Sequence, residues 1–338
     1  MAGPNTNLYG DISPRTASYA AKQLLKRGMY MLITERFAQV KPLPQRSSRS
    51  IKFRRYLELD TTPVPLAEGV TPPGKKLTYE DIHATVEQYG DWMELTDVIM
   101  DTHEDPVLNE MMELLGEQAP EILEKVRIEV LKGGSNVYYA GGVASRDLVA
   151  TSVAVNDLRA IVRSFKDDKA KYFTQIIKAS TGIDTTPVGP SFFALGHTDL
   201  EHNLRELTST GFVPIEQYAD SMDAIPGEVG KIENIRFVLT PLFTSWVDAS
   251  DTDGGTTWIN TTTTQADVYP LIILSPNAWG VVPLKGKTAI TPKVLNPGIP
   301  RGGDPLGQIG SVGWKTWHTA VILQDLWMCR YEVLASVL

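Results

Sequence analysis

Five histidines, one cysteine and forty carboxylates are the groups of this 338-residue chain that could do chemistry. His197 and His202 stand five apart, not the four that sets two zinc ligands on one helix face. These two, with His83, His103 and His318, read as satisfied or exposed structural histidines. Asp251-Thr-Asp253-Gly254 resembles the start of a calcium loop, but a third alternating carboxylate and the closing Glu are absent. It reads as a hydrated turn. Gly133-Gly134 and Gly302-Gly303 lack Walker spacing, and no G-x-S-x-G elbow occurs. Cys329 can form no internal disulfide and sits in an apolar strand pattern as core filler. Asn260-Thr-Thr262 matches a glycosylation sequon, which has no role without a secretory leader. The residues predict a scaffold with no catalytic residue, cofactor or metal. A metal-dependent enzyme built on His197, His202 and nearby acids is the alternative from another class.

Composition supports a scaffold with a real core, since 42% of residues are hydrophobic and 21% charged. The longest apolar stretch, around 268–282, is broken by Pro270, Pro276 and Asn277, so no transmembrane helix is expected. The reading is a soluble protein made in a reducing cytoplasm. The net charge of −8 argues against a dedicated nucleic-acid binder, yet it hides a gradient. Residues 1–60 hold eleven Lys/Arg against four Asp/Glu, whereas Glu80 to Glu124 holds fourteen acids and no Lys or Arg. Two solvated faces would explain this. A basic arm lying on the acidic surface of a neighbouring copy would explain it too, with the opposed fields steering and orienting association. An arm that binds DNA is a third option, disfavoured because its basic residues are scattered singly among Leu, Met and Phe.

Elements must position these charges. Residues 1–14 look like an extended tail, and helical periodicity runs from Pro14 to Val40 through Tyr19, Leu24, Leu25, Met29, Leu32 and Ile33. A linker at 41–50 carries Pro42 and Pro44. Alternation over Ile51–Leu59 predicts a strand, Pro72-Pro73-Gly74 a hairpin tip, and Ile82–Leu95 the return strand. Such a two-stranded ribbon is marginal alone and needs something to lie on. Asp105 and Pro106 open the longest helix, to about residue 132, and Gly133-Gly134 closes it. Pro120 inside it deletes a bond to the carbonyl of Gly116, which marks either a bend or a break between two helices. The second half reads as mixed α/β. Helices are capped by Asn156 and Thr198, and strands lie at 192–195, 235–239, 269–274, 280–284 and within 314–338. A polar, Thr-rich loop occupies 250–265. The apolar C-terminus is expected to dock in a core.

Basic arm, long hairpin, long helix, mixed α/β region and apolar C-terminal strands, in that order, resemble a tailed-phage major capsid subunit. The wording is similar to the phage N-four-type major capsid family in IKFRRY at 51–56, PLAEGVTPPGKKLT at 65–78, EQYGDWMELTDV at 87–98 and DPVLNEMMELLGEQA at 105–119. It continues in NVYYAGG at 136–142, FVPIEQYAD at 212–220, GEVGKIENIRFV at 227–238 and DPLGQIGSVGWKTWHTAVILQDLWMCRYE at 304–332.

The resemblance implies an α+β chain with the Hong Kong 97-type capsid fold. The N-terminal arm is then 1–50 and the extended loop 51–98. The peripheral domain would be 99–150 with a spine helix at about 106–132, completed by C-terminal strands at 305–338, and the axial domain 151–304. It implies a non-enzymatic subunit of an icosahedral head, associating with itself as pentamers and hexamers around double-stranded DNA without reading its sequence. Portal and decoration proteins are implied partners, and no membrane is. Recognisable arm text starts by residue 15, leaving no room for a built-in scaffolding segment, so a separate scaffolding protein is expected. The place is the virion, after assembly in the host cytoplasm. A compartment shell of the encapsulin kind is the alternative use of this fold. Expected assembly residues are Arg15, Lys22, Lys26, Arg27, Arg54, Arg55, Lys75 and Lys76 on the basic side. Glu87, Asp91 and Glu94 stand on the acidic side, and Gly116 and Pro120 mark the spine-helix bend. Lys75 and Lys76 lie near the loop tip, but position alone does not indicate a Lys–Asn isopeptide bond there.

Overall fold

The computed structural model describes residues 33–44, 48–65, 68–69, 71, 74–102, 107–178, 184–218, 225, 227–262, 264–283, 290–298, 300 and 302–337. The helix expected from Pro14 to Val40 lies mostly outside them. Its last eight residues are not helical: Thr34–Phe37 form one 3-10 turn and β1 (Gln39–Val40) follows. Tertiary partners override the periodicity here. Phe37 is buried against Phe173 and Phe193, and β1 pairs in parallel with Gly280 and Val281. The linker at 41–44 is irregular apart from a bridge at Leu43.

Strand β2 (Ser50–Tyr56) pairs with β3 (Tyr79–Thr85) from Ser50↔Thr85 to Tyr56↔Tyr79. The expected tip at Pro72-Pro73 lies outside the described residues. The single return strand read from Ile82 to Leu95 is instead two strands, for β4 (Glu87–Thr96) leaves the hairpin and joins another sheet. The physical reason is the supply of partners. Strand β2 begins at Ser50, and the proline-bearing linker before it offers no ladder beyond Thr85. Val86 closes the hairpin by bonding its N–H to the Arg49 carbonyl at 2.9 Å, with its own side chain buried.

A six-residue helix, α1 (Asp97–Thr102), precedes the spine helix α2 (Val107–Lys132). Asp105 and Pro106 fall outside the described residues. The C-terminal stop is where the sequence placed it, with the Gly133 N–H on the Glu129 and Val130 carbonyls. The spine is one continuous helix across Pro120, so the two-helix reading is set aside. Next come β5 (Val137–Tyr139) and α3 (Val155–Asp167), whose Leu158, Ile161 and Phe165 are buried. Its N-cap is Ala154, not Asn156, since the helix starts one residue before the expected cap.

Strands β6 (Phe173–Lys178) and β7 (Asp184–Gly196) lead to a 3-10 turn at Thr198–Leu200 and the short α4 (Glu201–Glu206). That turn is capped by His197, whose Nδ1 accepts the Asp199 N–H at 3.1 Å, and not by Thr198. The chain continues through β8 (Phe212–Pro214), β9 (Glu228–Ile232), β10 (Ile235–Leu239), β11 (Val268–Leu274), β12 (Trp279–Val281) and β13 (Thr291–Leu295). It ends with β14 (Ile309–His318), β15 (Ala320–Ile322) and β16 (Met328–Leu334). The Thr-rich loop is tied to the C-terminus, since Ile259 N–H bonds the Ala335 carbonyl and Val337 N–H the Thr257 carbonyl.

The main sheet runs β5-β16-β11-β7-β10-β9-β8, with β6 alongside β7. Both of its faces are covered, so its central strands read as continuous apolar runs rather than alternating ones. Phe192, Ala194, Leu271 and Ile273 face α3 and α4. Phe193, Leu195, Ile272 and Leu274 face Phe37, the C-terminal half of α2 and Trp279. A second core lies under the three-stranded sheet β13-β14-β4, where Leu95, Val312 and Trp314 meet Met111, Met112, Leu115 and Ala119 of α2. A third packs the hairpin base, through Phe53, Ala84 and Val86, on Val282 and Leu323. The C-terminal strands thus serve three sheets, with β15 paired to β12 in the small sheet β1-β12-β15. Strand β14 lies on the spine helix, while β16 sits inside the main sheet between β5 and β11.

Candidate assembly surfaces

The ends of the paired strands β2 and β3 and the segments beyond them carry exposed apolar side chains. Tyr56, Leu57, Leu59, Val64, Leu77 and Tyr79 are 43–59% exposed. The charges of this hairpin pair across the two strands. The Arg54 guanidinium forms a bidentate pair with Asp81 at 2.8 and 2.9 Å and lies 4.1 Å from the Tyr79 ring centroid. Arg55 meets Glu80 at 2.5 Å. The bond to Arg54 holds the Asp81 carboxyl below the usual carboxylate range and raises the pKa of Arg54. Arg54 and Arg55 therefore have acidic partners within their own hairpin. Lys75 hydrogen-bonds the Asp60 carbonyl and stands 3.6 Å from its carboxylate, which Thr62 holds low by hydroxyl and N–H bonds. Lys76 is exposed. Arg15, Lys22, Lys26 and Arg27 lie outside the described residues.

The acidic residues expected to receive the arm stand on β4, an edge strand, where charge also guards against unwanted strand pairing. All three are exposed, but the pleat divides them. Glu94 shares a face with Trp92. Glu87 and Asp91 share the α2-facing side with Tyr89 and Leu95. Asp91 accepts from Gln118 Nε2 at 2.6 Å, and Gln118 Oε1 accepts from Trp314 Nε1 at 3.3 Å. The Tyr89 hydroxyl donates to Glu87 at 3.3 Å, and burial, then Glu87, raises its pKa. An open groove of about 720 Å³ crosses this sheet, lined by Trp92, Lys293, Leu295, Gly313 and Lys315 among others. Gly313 is required there: a Cβ would meet Trp92 Cβ at 2.7 Å and the Asp91 carbonyl at 2.9 Å. Gly116 and Pro120 are buried in α2.

Sequence reasoning missed a buried polar cluster where the arm meets the spine. Glu124 and Arg127, on successive turns of α2, meet Thr34, Glu35 and His318. The available signal was two charges, three apart, set between Leu123 and Ile128 on the apolar stripe. The Arg127 Nε donates to His318 Nε2 at 3.1 Å, which fixes the imidazole as the neutral Nδ1–H tautomer. Burial, aided by Arg127, depresses the His318 pKa to about 2.

The remaining groups show no shared chemistry. Among the described residues no three His, Cys, Asp or Glu side chains converge on a metal position. His202 stands 3.4 Å from Glu206, one helical turn away, His83 is exposed, and His103 lies outside the described residues. Cys329 is buried in β16, and desolvation pushes its thiol up to about 12, which disfavours the reactive thiolate. Asp253 accepts the Gly255 N–H at 3.2 Å, a turn bond. No described helix is long and apolar enough to cross a membrane.

The sequence and the fold are similar to those of known proteins. The family model described as phage capsid protein matches residues 79–331. The major capsid protein of Pseudomonas phage KPP21 is 22% identical over 274 residues, covering 76% of this chain and 68% of that protein. Among solved structures, the capsid of Ralstonia phage GP4 superposes with a TM-score of 0.69 at 13% identity, over 89% of this chain and 90% of that one. The head of Helicobacter pylori bacteriophage KHP40 gives 0.62 at 12%, over 92% and 91%. Cyanophage Pam1 gives 0.61 at 13%, over 90% and 93%. The fold is the α+β, Hong Kong 97-type fold of tailed-phage capsids, and these relatives favour a phage head over an enzyme-holding compartment. The chain belongs to the phage capsid protein family, as a major capsid protein that forms part of the virion.

Proposed function

We propose that this protein builds an icosahedral shell of pentamers and hexamers around double-stranded DNA, each copy laying its hairpin on the next subunit. The observation that carries the reading is the set of exposed apolar side chains Tyr56, Leu57, Leu59, Val64, Leu77 and Tyr79, on a ribbon too thin to be stable alone. Contacts of this head-to-tail kind close into rings when the rotation allows. Many copies of one weak contact give a strong shell while each stays reversible. The N-terminal basic residues add steering toward the acidic surface around β4 and α2. A net-acidic subunit suits a container that must not glue DNA to its wall. Assembly in the host cytoplasm would use a separate scaffolding protein, with portal and decoration proteins as further partners. The test is electron microscopy of the purified protein, alone and with a candidate scaffold. Uniform icosahedral particles are expected from the native chain, and far fewer from the double substitution Leu57→Ser, Leu59→Ser. Monodisperse monomers or dimers of the native chain under every condition would refute intrinsic assembly, and normal shells from the double variant would refute hairpin docking.

A further inference from the structure

Glu124 lies in the middle of the spine helix with its side chain fully buried. Its Oε1 accepts the backbone N–H groups of Ile33 at 3.0 Å and Thr34 at 2.8 Å, and its Oε2 accepts the Thr34 hydroxyl at 2.8 Å. Arg127 Nη1 donates to the same Oε2 at 3.2 Å. The first N–H groups of a helical turn have no partner within it and need an acceptor. Ile33, at the cap position of Thr34–Phe37, has no side-chain oxygen to offer. A carboxylate ninety residues away in sequence supplies what an N-cap Ser or Asp would.

The cluster extends in two directions. Arg127 Nη2 donates to Glu35 at 2.9 Å, and Arg127 Nε donates to His318 at the end of β14. Beyond the turn, Phe37 packs on Phe193 with ring centroids 4.5 Å apart, and β1 extends the small sheet β1-β12-β15. Residues 33–40 are therefore built into the body, and any reach toward a neighbour starts before Ile33. The position along α2 matters as well. Met111, Met112, Leu115 and Ala119, before Pro120, pack on the three-stranded sheet, while Ile128 and Leu131, after it, pack under the main sheet with Ile33 and Phe37.

We propose that Glu124 is a clasp that fixes the root of the N-terminal arm to the C-terminal half of α2, so that arm and half-helix move as one body when the shell changes shape. The coupling rests on the shell reading above; the clasp itself does not. A change in the curve of α2 at Pro120 then re-aims the arm without breaking the bonds of Glu124 to Ile33 and Thr34. Loss of the clasp leaves Arg127 buried with one acid fewer and frees the turn at Thr34–Phe37.

Trypsin tests this on free subunits and shells of the full chain, because Arg36 lies inside the clasped turn. In the native protein the Arg36–Phe37 bond is expected to be cut slowly. Glu124→Gln is expected to speed that cut at least ten-fold, with cleavage after Arg236, in the main sheet, unchanged as the control for global unfolding. Should Glu124→Gln not fold, Thr34→Val removes only the hydroxyl bond and is expected to give a rise of a few fold. Shells of Glu124→Gln are expected to lose uniform diameter. Unchanged cleavage at Arg36 in both variants overturns the clasp. Faster cleavage with shells of normal diameter and expansion overturns the coupling. If the native chain also makes no shells, the proposed function falls and the coupling with it, while cleavage on free subunits still decides the clasp.

Discussion

His318 ends the inward row of β14, after Val312, Trp314 and Thr316, and is the only imidazole among the described residues that is fully enclosed. Its charged form is excluded by burial and by Arg127, with Glu124 and Glu35 on the far side of that guanidinium. An unfolded histidine takes its proton near pH 6.5, whereas this one waits until about 2. Below pH 6.5 the unfolded chain therefore binds a proton that the native chain does not, and stability falls as pH falls, down to the native pKa. Between pH 6.5 and 4.5 this costs roughly 2–3 kcal/mol, at 1.36 kcal/mol per unit. His318→Gln keeps an acceptor for Arg127 and has no proton to take. Its denaturation midpoint is expected to fall by correspondingly less over that interval, and equal losses in both proteins would show that the native imidazole titrates normally. Buried polar residues of this kind were the least legible part of the sequence. Periodicity marks where a side chain points but not which distant partner satisfies it, and Thr34 and Glu124 are ninety residues apart.

At the scale of elements, the strands and helices of the second half were legible because both faces of the main sheet are apolar, as in Ile235–Leu239 and Val268–Leu274. The split at Val86 was read over, although the inward side shifts there from the even positions Ile82, Ala84 and Val86 to the odd positions Tyr89 and Leu95. The 3-10 turn at Thr34–Phe37 was not legible because distant partners, Glu124, Phe173 and Phe193, hold it. Among the site residues, the pairing of Arg54 with Asp81 could have been read from the hairpin register, had the tip been fixed. Pro120 lies within the one continuous helix, near the change from one core to the other, with Ile122 just after it still packed on the three-stranded-sheet core. One half of α2 belongs to the core beneath β4 and β14, the other to the core beneath the main sheet. A proline inside a helix costs about 3 kcal/mol against Ala, and a hinge between the two cores is the role proposed for it. Pro120→Ala is expected to leave precursor shells intact and to slow or stop their expansion, followed by cryo-electron microscopy of particle diameter over time. Expansion at the native rate would remove the hinge.

Over the whole molecule, the charge gradient is partly answered within the chain. Among the described residues of 80–124, Asp81 and Glu80 have theirs in the hairpin, Glu121 pairs with Lys125 at 2.6 Å, and Glu124 is buried with Arg127. Glu87, Asp91 and Glu94 remain exposed along the edge of β4. Exposed pairs contribute little to the stability of a folded chain, typically under about 1 kcal/mol, but opposed fields raise the rate and set the orientation of association. Reversing Lys22, Lys26 and Arg27 to Glu is therefore expected to leave the unfolding midpoint of the subunit unchanged. Its assembly rate, followed by light scattering at 0.05 M salt, should fall about ten-fold or more. At 0.5 M salt the Debye length shrinks well below its value of about 10 Å at 0.1 M, and the two proteins should converge. Combining the reversal with Glu87→Lys, Asp91→Lys and Glu94→Lys should restore much of the low-salt rate, because attraction between the same two surfaces returns with its sign exchanged. Equal rates for native and reversed arms at low salt would reduce the gradient to two solvated faces. A slow reversed arm that the β4 changes fail to rescue would keep the arm as an assembly element and move its target elsewhere on the neighbour.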